Sequence, residues 1–419
     1  MPIWPPRGRK GLDPRRPGEM LRRLERFRKL HELLPEPRTC GAVHVLDLSG
    51  LPARFGADWS HLGEKAWQIV EHALDRELGR EDLYVAVDPS TIYAFTSGPS
   101  WRDAERAMKL AAAAMTERLC GLVAGGASVR VRTLPLDLRV GLAGLSGLRE
   151  LRERVEAFGR RVEGEERRAF AQVERELEVR FSPLVGLRRL LVVGHRLHAG
   201  RPGEDGGFVE AGDLCPERAL GVFDAAVDAW LARALGSVAA AHRQLARGFV
   251  VLPVHYDTLA GRHLREPLFR ALRELPAGLR RHLVLHVVDL PPAIPQGTLA
   301  RLSALAGPFV AALAGAVPPV RPDPERFDGT RVRILAVPAR ELADQPSDVA
   351  LRQLVRLVEA ARRGRRRRVW VVDVADAGAF ELCREVGVDA VCGPLFGPPL
   401  AAPLTRRRLP ANRRGAKEG

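Results

Sequence analysis

The sequence predicts an α/β protein in which a (β/α)8-type barrel follows a small α+β domain. Three observations predict it. The chain has 419 residues, about three times the usual single-domain length, so two or three compact units are expected. From Arg180 onward apolar runs alternate with amphipathic stretches over roughly 240 residues, the length and rhythm of eight βα repeats. Before that, residues 42–142 read in the order β-α-β-β-α-β, a small sandwich with helices packed on one sheet. An open doubly wound sheet has the same rhythm as a barrel, so the pattern alone does not fix closure.

Composition supports a folded chain. Apolar residues make up 46% and charged residues 28%, which excludes global disorder, and aromatics at 5% leave the cores to Leu, Val and Ala. Cysteines at 40, 120, 215, 383 and 392 form no CxxC pair, which argues against a disulfide framework or zinc ribbon and fits a reducing cytoplasm. The net charge of +15 is unevenly placed. Residues 1–39 carry 11 Lys/Arg against 5 Asp/Glu, Arg362 to Arg368 add 6 Arg, and residues 406–418 add 6 basic against 1 acidic. The remainder is close to neutral, and no aromatic residues interleave with the Arg runs, so solvated segments are expected rather than a nucleic-acid groove. The first residues contain no apolar secretory core. Leu302 to Val320 is uncharged but carries Gly307, Pro308, Gly315, Pro318 and Pro319, which suits a buried strand with loops and not a membrane span.

The elements follow in order. Leu21, Leu24, Phe27, Leu30 and Leu34 recur at helical spacing and predict a short amphipathic helix. Residues 42–48 read as a strand, 62–78 as a helix, 83–87 and 91–96 as a hairpin around Asp88-Pro89-Ser90, 101–119 as a helix, and 129–133 and 136–142 as strands. Leu148, Leu151, Val155, Phe158 and Val162 alternate three and four apart and predict a linker helix over 148–178. Its apolar seam needs cover from its own domains or from a second chain. Strands are then predicted at 178–182, 190–194, 249–254, 283–288, 308–313, 332–337, 369–374 and 389–392. Helices are predicted near 217–246, 264–274, 297–306, 348–363 and 376–386.

The stretch 380–400, with Gly387, Asp389, Gly393, Phe396, Pro399 and Leu400 after a helix, resembles the closing segment of EAL domains, the phosphodiesterases that linearise cyclic di-GMP. Residues 180–200 are similar to that family's opening Gln-Pro-Ile segment, with Pro183 and Gly194 at the corresponding spacing. Residues 249–259 resemble its Asn-Val-Ser strand, and 283–290 its Glu-x-x-Glu strand. The resemblance spans roughly 165–405 and implies a (β/α)8-type EAL barrel.

It also implies two divalent metals held by carboxylates and an Asn at the C-terminal mouth, where a metal-bound hydroxide attacks phosphate. The positions departing from that pattern are numerous. Arg196 replaces the motif Glu, Pro253 the Asn and His286 the first Glu of Glu-x-x-Glu, while Asp289 keeps an acid at the second. The paired aspartates fall on Leu313 and Ala314 when Gly307 is the anchor, and the following Lys falls near Leu335. The late carboxylates fall on Val372 and Ala375 without a gap, or on Asp373 and Asp376 with one. Cys392 replaces the Gln before the last Gly. A guanidinium cannot ligate Mg²⁺ or Mn²⁺ and repels them, so the expectation is a barrel with no catalytic residues, no metal and no cofactor.

The segment 45–56, with Asp47, resembles the metal-binding strand of GGDEF domains, the cyclase fold that often precedes EAL domains. Its signature hairpin would be the Asp88–Ile92 region, which lacks the paired glycines and acidic pair of that family. The division read from all this is a basic lead at 1–39, a GGDEF-like domain at 40–145, a linker helix at 146–178, an EAL-like barrel at 179–405 and a basic tail at 406–419.

Other candidates have ordinary explanations. His195, His198, His255 and His286 lack the spacing of a zinc site, although convergence at the mouth with Asp289 or Asp373 is the arrangement to look for. Cys383 and Cys392 read as small buried hydrophobes, and Trp230 and Leu231 as core. Ser182, Ser303 and Thr258 lack nucleophile context, and GEDGG at 203–207 lacks a phosphate-cradle Lys. The functional expectation is a cytoplasmic, catalytically inactive regulatory protein that meets a protein partner or itself. No membrane span and no nucleic acid are expected, and cyclic di-GMP binding is argued against by the lost polar mouth. A non-hydrolysing nucleotide receptor is the alternative.

Overall fold

The computed structural model describes residues 11–13, 16–32, 40–50, 56, 59–88, 90–98, 101–120, 129–135, 141–204, 206–215, 219–242, 245, 247–291, 294, 296–317, 324–343, 347–363 and 367–405. The chain divides into two compact units, Met1–Glu166 with Pro291–Thr298, and Arg167–Leu290 with Leu299–Gly419.

In the first unit the elements are β1 (Gly11–Leu12), α1 (Pro17–Glu32), β2 (Cys40–Asp47), α2 (Trp59–Glu77), β3 (Leu83–Asp88), β4 (Thr91–Gly98), α3 (Trp101–Cys120), β5 (Arg130–Pro135) and the start of α4 (Leu148–Val173). The sheet order is β1-β3-β4-β2-β5, antiparallel except where β1 runs beside β3. Strand alternation sends Leu46, Tyr84, Ala86, Ile92 and Ala94 to one face, where they bury against Trp67, Val70 and Leu74 of α2 and Met108, Ala111 and Met115 of α3. The opposite face is covered too. Phe27 of α1 meets Phe95 edge-on at 6.4 Å, and Gly159 of α4 comes against Leu134.

Two sequence expectations change in this unit, and a third falls partly outside the described residues. The second strand near 136–142 is absent where it can be seen: 136–140 lie outside the described residues, and Leu142 to Gly144 form a turn. Leu34, assigned to the first helix, also lies outside them. The apolar seam of α4 does not await a partner, because Leu151, Val155 and Val162 are already buried. Phe158 is half-buried under the Arg161 guanidinium, 4.6 Å from its ring centre.

The second unit is a closed barrel. Its strands are β6 (Glu178–Gly186), β7 (Leu191–Pro202), β8 (Phe208–Glu210), β9 (Phe249–His255), β10 (Leu283–Val288), β11 (Ala312–Ala316), β12 (Val332–Pro338), β13 (Arg368–Val372) and β14 (Ala390–Val391). The order β6-β14-β13-β12-β11-β10-β9-β7, closed by β6 against β7, makes an eight-stranded ring with β8 appended to β7. This resolves the alternative between barrel and open sheet. Pairs from β7 through β9 to β14 are parallel, whereas β6 is antiparallel to both its neighbours. The outer helices include α5 (Val222–Ala241), α6 (Tyr256–Ala260), α7 (Arg262–Glu274), α8 (Gln296–Ala306), α9 (Ser347–Arg363) and α10 (Ala377–Val386). β11 begins four residues later than predicted because Gly307-Pro308-Phe309 continues the helix as a 3-10 turn, with Pro at a position where a helical turn accepts it. The predicted helix 217–246 shortens to α5, preceded by Gly221 in the left-handed region.

Inside the ring, Leu184, Val251, Val284, Ala314, Ile334, Trp370, Val372, Ala390 and Cys392 form one apolar cluster. No helix among the described residues is long and apolar enough to cross a membrane.

Candidate functional site at the barrel mouth

Parallel strands deliver their C-terminal ends to one mouth, and register decides which side chains look inward. Arg196 is paired with Val251, and His286 with Pro253 and Ala314. Because Val251, Val284 and Ala314 belong to the inner cluster, Arg196, Pro253, His286 and Ala314 share that inner side. Leu313 does not. One residue earlier on β11, it points outward and lines a small crevice with Leu259, Val287, Leu299, Leu302 and Phe327. Its expected place at the mouth is therefore corrected: alternation along a strand cannot put two adjacent residues inside, and the shift of β11 makes Leu313 an early residue of the strand. Leu335, one residue after the inward Ile334, likewise faces outward.

The Arg196 guanidinium crosses the barrel and donates to Asp373 Oδ1 at 2.6 Å. Burial opposes its charge, yet Cys392, Asp373 and Glu210 together hold its pKa above the ordinary value. The same guanidinium works in the other direction on His286, whose pKa falls to about 3, first through burial and then through Arg196. The imidazole is thus neutral. Burial raises the Cys392 thiol pKa, with Asp373 adding to the rise and Arg196 opposing it.

Asp373 holds this position through its backbone. It lies in the left-handed region at φ 62°, which Asp tolerates better than most side chains. The next residue, Val374, donates its N–H to Cys392 O at 3.0 Å and accepts from Leu395 N–H at 2.9 Å. Gly393, at φ 151°, lies so close that a Cβ there would stand 2.2 Å from Val374 N. The closing Gly is therefore required by the turn that aims Asp373. Asp289, at the end of β10, is also left-handed, with φ 53°, and its side chain is exposed. Asp376, the other carboxylate of the gapped alignment, caps α10 by accepting from Ala379 N–H at 2.8 Å.

A second network at the same end was passed over in the sequence. Asp228 of α5, nearly fully buried, accepts from His255 N–H at 2.9 Å and Thr258 Oγ1 at 2.6 Å. His255 Nδ1 also lies 3.1 Å from Asp228 Oδ1, and Asp224 Oδ1 lies 3.8 Å from His255 Nε2. Burial alone would lower the His255 pKa, but Asp228, Asp224 and Asp289 raise it to about 10, so the imidazolium persists. The signal for this network was present: two acids four residues apart on an otherwise apolar helix share a face.

The four histidines occupy different surroundings. His195 faces Phe181, His198 binds Glu210 at 2.6 Å, His255 binds Asp228, and His286 looks into the barrel. Among the described residues no group of three or more His, Cys, Asp or Glu side chains is arranged to hold a metal ion. The two metals that the resemblance implies do not fit these residues: the position matched to the motif Glu holds a cation, Arg196, and that cation engages Asp373. Cys383 and Cys392 are buried. Leu231 is buried, while Trp230 is half-buried. In the first unit Asp47 accepts from Ser49 N–H at 2.8 Å, and Asp88 from the N–H and hydroxyl of Ser90 at 2.8 Å, so both acids serve turns.

No family model matches the chain, and no curated protein sequence does. Similar solved structures are EAL domains, alone or joined to a GGDEF domain. The PaMucR phosphodiesterase in complex with c-di-GMP is 14% identical over 57% of this chain and 97% of that one, with a TM-score of 0.46. The FimX EAL domain from Pseudomonas aeruginosa bound to c-di-GMP is 14% identical over 57% and 97%, with a TM-score of 0.42. The Vibrio cholerae LapD S helix-GGDEF-EAL protein bound to c-di-GMP is 8% identical over 90% and 93%, with a TM-score of 0.49.

Proposed function

We propose that the protein is a catalytically inactive, EAL-like regulatory protein that acts by binding a protein partner in or near cyclic di-GMP signalling, behind a degenerate GGDEF-like domain. The observation carrying this reading is the Arg196–Asp373 pair at 2.6 Å. A metal-dependent phosphodiesterase needs a cluster of ligands that generates hydroxide and clamps phosphate. Here a fixed cation occupies that place and engages Asp373, and among the described residues no group of three or more His, Cys, Asp or Glu is arranged to hold a metal. The test is incubation of the full chain with cyclic di-GMP, and separately with GTP, in Mg²⁺ or Mn²⁺. No linear dinucleotide and no cyclic product are expected. Metal-dependent turnover that vanished in Asp289→Asn or Asp373→Asn would overturn the proposal.

One observation favours a second reading, that of a non-hydrolysing receptor for cyclic di-GMP or another nucleotide. Arg196 Nε and His286 Nδ1 are buried without a hydrogen-bond partner among the described residues, and a buried polar group left unmatched is costly. Isothermal titration with cyclic di-GMP separates the readings. Tight binding that is lost in Arg196→Met would replace the protein-binding proposal with the receptor.

A further inference from the structure

We infer that the first unit carries a docking groove for an acidic amphipathic helix of a partner protein, between α1 and the turn at 142–145. The groove has a volume of about 730 Å³, within the usual range of ligand clefts. Leu21 and Leu30 line it from α1, and Leu142 and Leu145 from the facing turn. Gly144, left-handed at φ 61° with nothing within 4 Å of where a Cβ would stand, leaves that wall open.

Charge decides the occupant. Arg22, Arg26 and Lys29 line the α1 side at i, i+4 and i+7, a single stripe along the helix. Glu25 lies within the stripe, where Arg28 holds its carboxylate through bonds of 2.9 and 2.6 Å and Lys29 Nζ stands 3.9 Å away. Arg22 and Arg26 make no ion pair among the described residues. Among the described residues the opposite wall, Leu142, Gly144 and Leu145, is uncharged. A helix with acids along one edge and leucines beside them satisfies both walls at once, the helix-in-groove mode of recognition. A lipid surface is a poorer match, because a membrane-bound helix must present protruding apolar side chains, whereas Leu24 and Leu142 are buried in the floor.

The inference rests on the reading of the protein as a binder, yet the two fail separately, since nucleotide turnover reports on the barrel and peptide capture on the groove. The experiment is selection of 16-residue peptides from a displayed library on the full chain, followed by affinity measurement by fluorescence anisotropy. Enriched peptides are expected to carry Glu or Asp at helical spacing beside leucines. Their affinity should fall roughly tenfold or more in Arg22→Glu/Arg26→Glu, and similarly when salt rises from about 0.05 to 0.5 M. Leu145→Ser should weaken the same peptides without changing their salt response. Both charge-reversed positions are exposed, so the fold is retained, and circular dichroism checks it. Selection without acidic enrichment, or equal binding to the charge-reversed protein, would overturn the groove. So would association with phosphatidylglycerol vesicles that is lost in that variant while peptides are ignored, which would assign the face to lipid.

Discussion

Arg196 and Asp373 stand 177 residues apart in the chain, one on β7 and the other just past the end of β13, strands separated by β6 and β14 in the ring, yet they form one ion pair at 2.6 Å. The pair is asymmetric. The Arg196 side chain is 14% exposed and that of Asp373 47%, so water can replace the partner of Asp373 but not that of Arg196. Asp373→Asn should therefore cost more stability than Arg196→Met. A buried charge stripped of its partner costs on the order of 3 kcal/mol, whereas an apolar residue of similar length is close to neutral. Urea unfolding of the two variants measures this, and equal losses would show that the pair is effectively solvated.

Gly393 provides a second test, because its role is steric as well as conformational. Its φ of 151° and the 2.2 Å approach of a would-be Cβ to Val374 N leave no room for Ala without displacing the turn that holds Asp373. Gly393→Ala should lose about 2 kcal/mol or more, in the range of backbone strain at special positions. It should also raise hydrogen exchange at the Val374 amide, which now bonds Cys392 O. Unchanged exchange would mean that the turn does not depend on Gly393.

The buried histidines set opposite slopes of stability against pH. His44, bonded to Thr133 and Thr96 at 2.8 Å on each side, has its pKa lowered to about 3 by burial, as does His286. An unfolded chain takes up their protons near pH 6.5. Stability from these residues is therefore complete above about pH 6.5 and declines toward pH 3, by up to ~1.4 kcal/mol per unit for each. His255 does the reverse. With a folded pKa of about 10, its contribution is complete below about pH 6.5 and fades as pH climbs toward 10. Chemical unfolding of wild type and His255→Gln between pH 7 and 9.5 checks this: the wild type should lose stability more steeply, and parallel curves would contradict the charged imidazole.

Much of the fold was legible because it is written in periods that local residues enforce. The β-α-β-β-α-β order and all eight barrel strands appear as apolar runs, and the departures fall where a single residue type misleads. Gly307-Pro308 reads as the start of a strand but closes a helix, and that shift carried Leu313 to the wrong face. Asp373 at the mouth was legible only with a gap in the alignment, which the left-handed turn at φ 62° accommodates. The Asp228–His255 network joins residues 27 apart: the acids at 224 and 228 mark one half of it on their helix, but no local pattern names His255 as the other half. Nor does composition separate Arg367 from the Arg run around it. That side chain is buried and donates to Pro324 O at 2.9 Å and Asp328 Oδ1 at 2.6 Å, anchoring the start of β13 rather than facing solvent.

The seam of α4 yields the last prediction, in which two residues of one stripe should behave differently. Leu151 is 1% exposed within the chain, whereas Phe158 is half-buried beneath Arg161. If the stripe were a dimer seam, glutamate at either position would dissociate a dimer and leave the monomer folded. Because it is covered internally, Leu151→Glu places a carboxylate in an apolar site, at a cost of about 3 kcal/mol or more. Phe158→Glu keeps its new charge near solvent and beside Arg161, and should cost less than about 1.5 kcal/mol. Thermal unfolding should therefore show a large fall in Tm for the first variant and a small one for the second, with the elution volume of the folded fraction unchanged in both. A shift in elution volume with unaltered Tm would return the seam to an interface between chains.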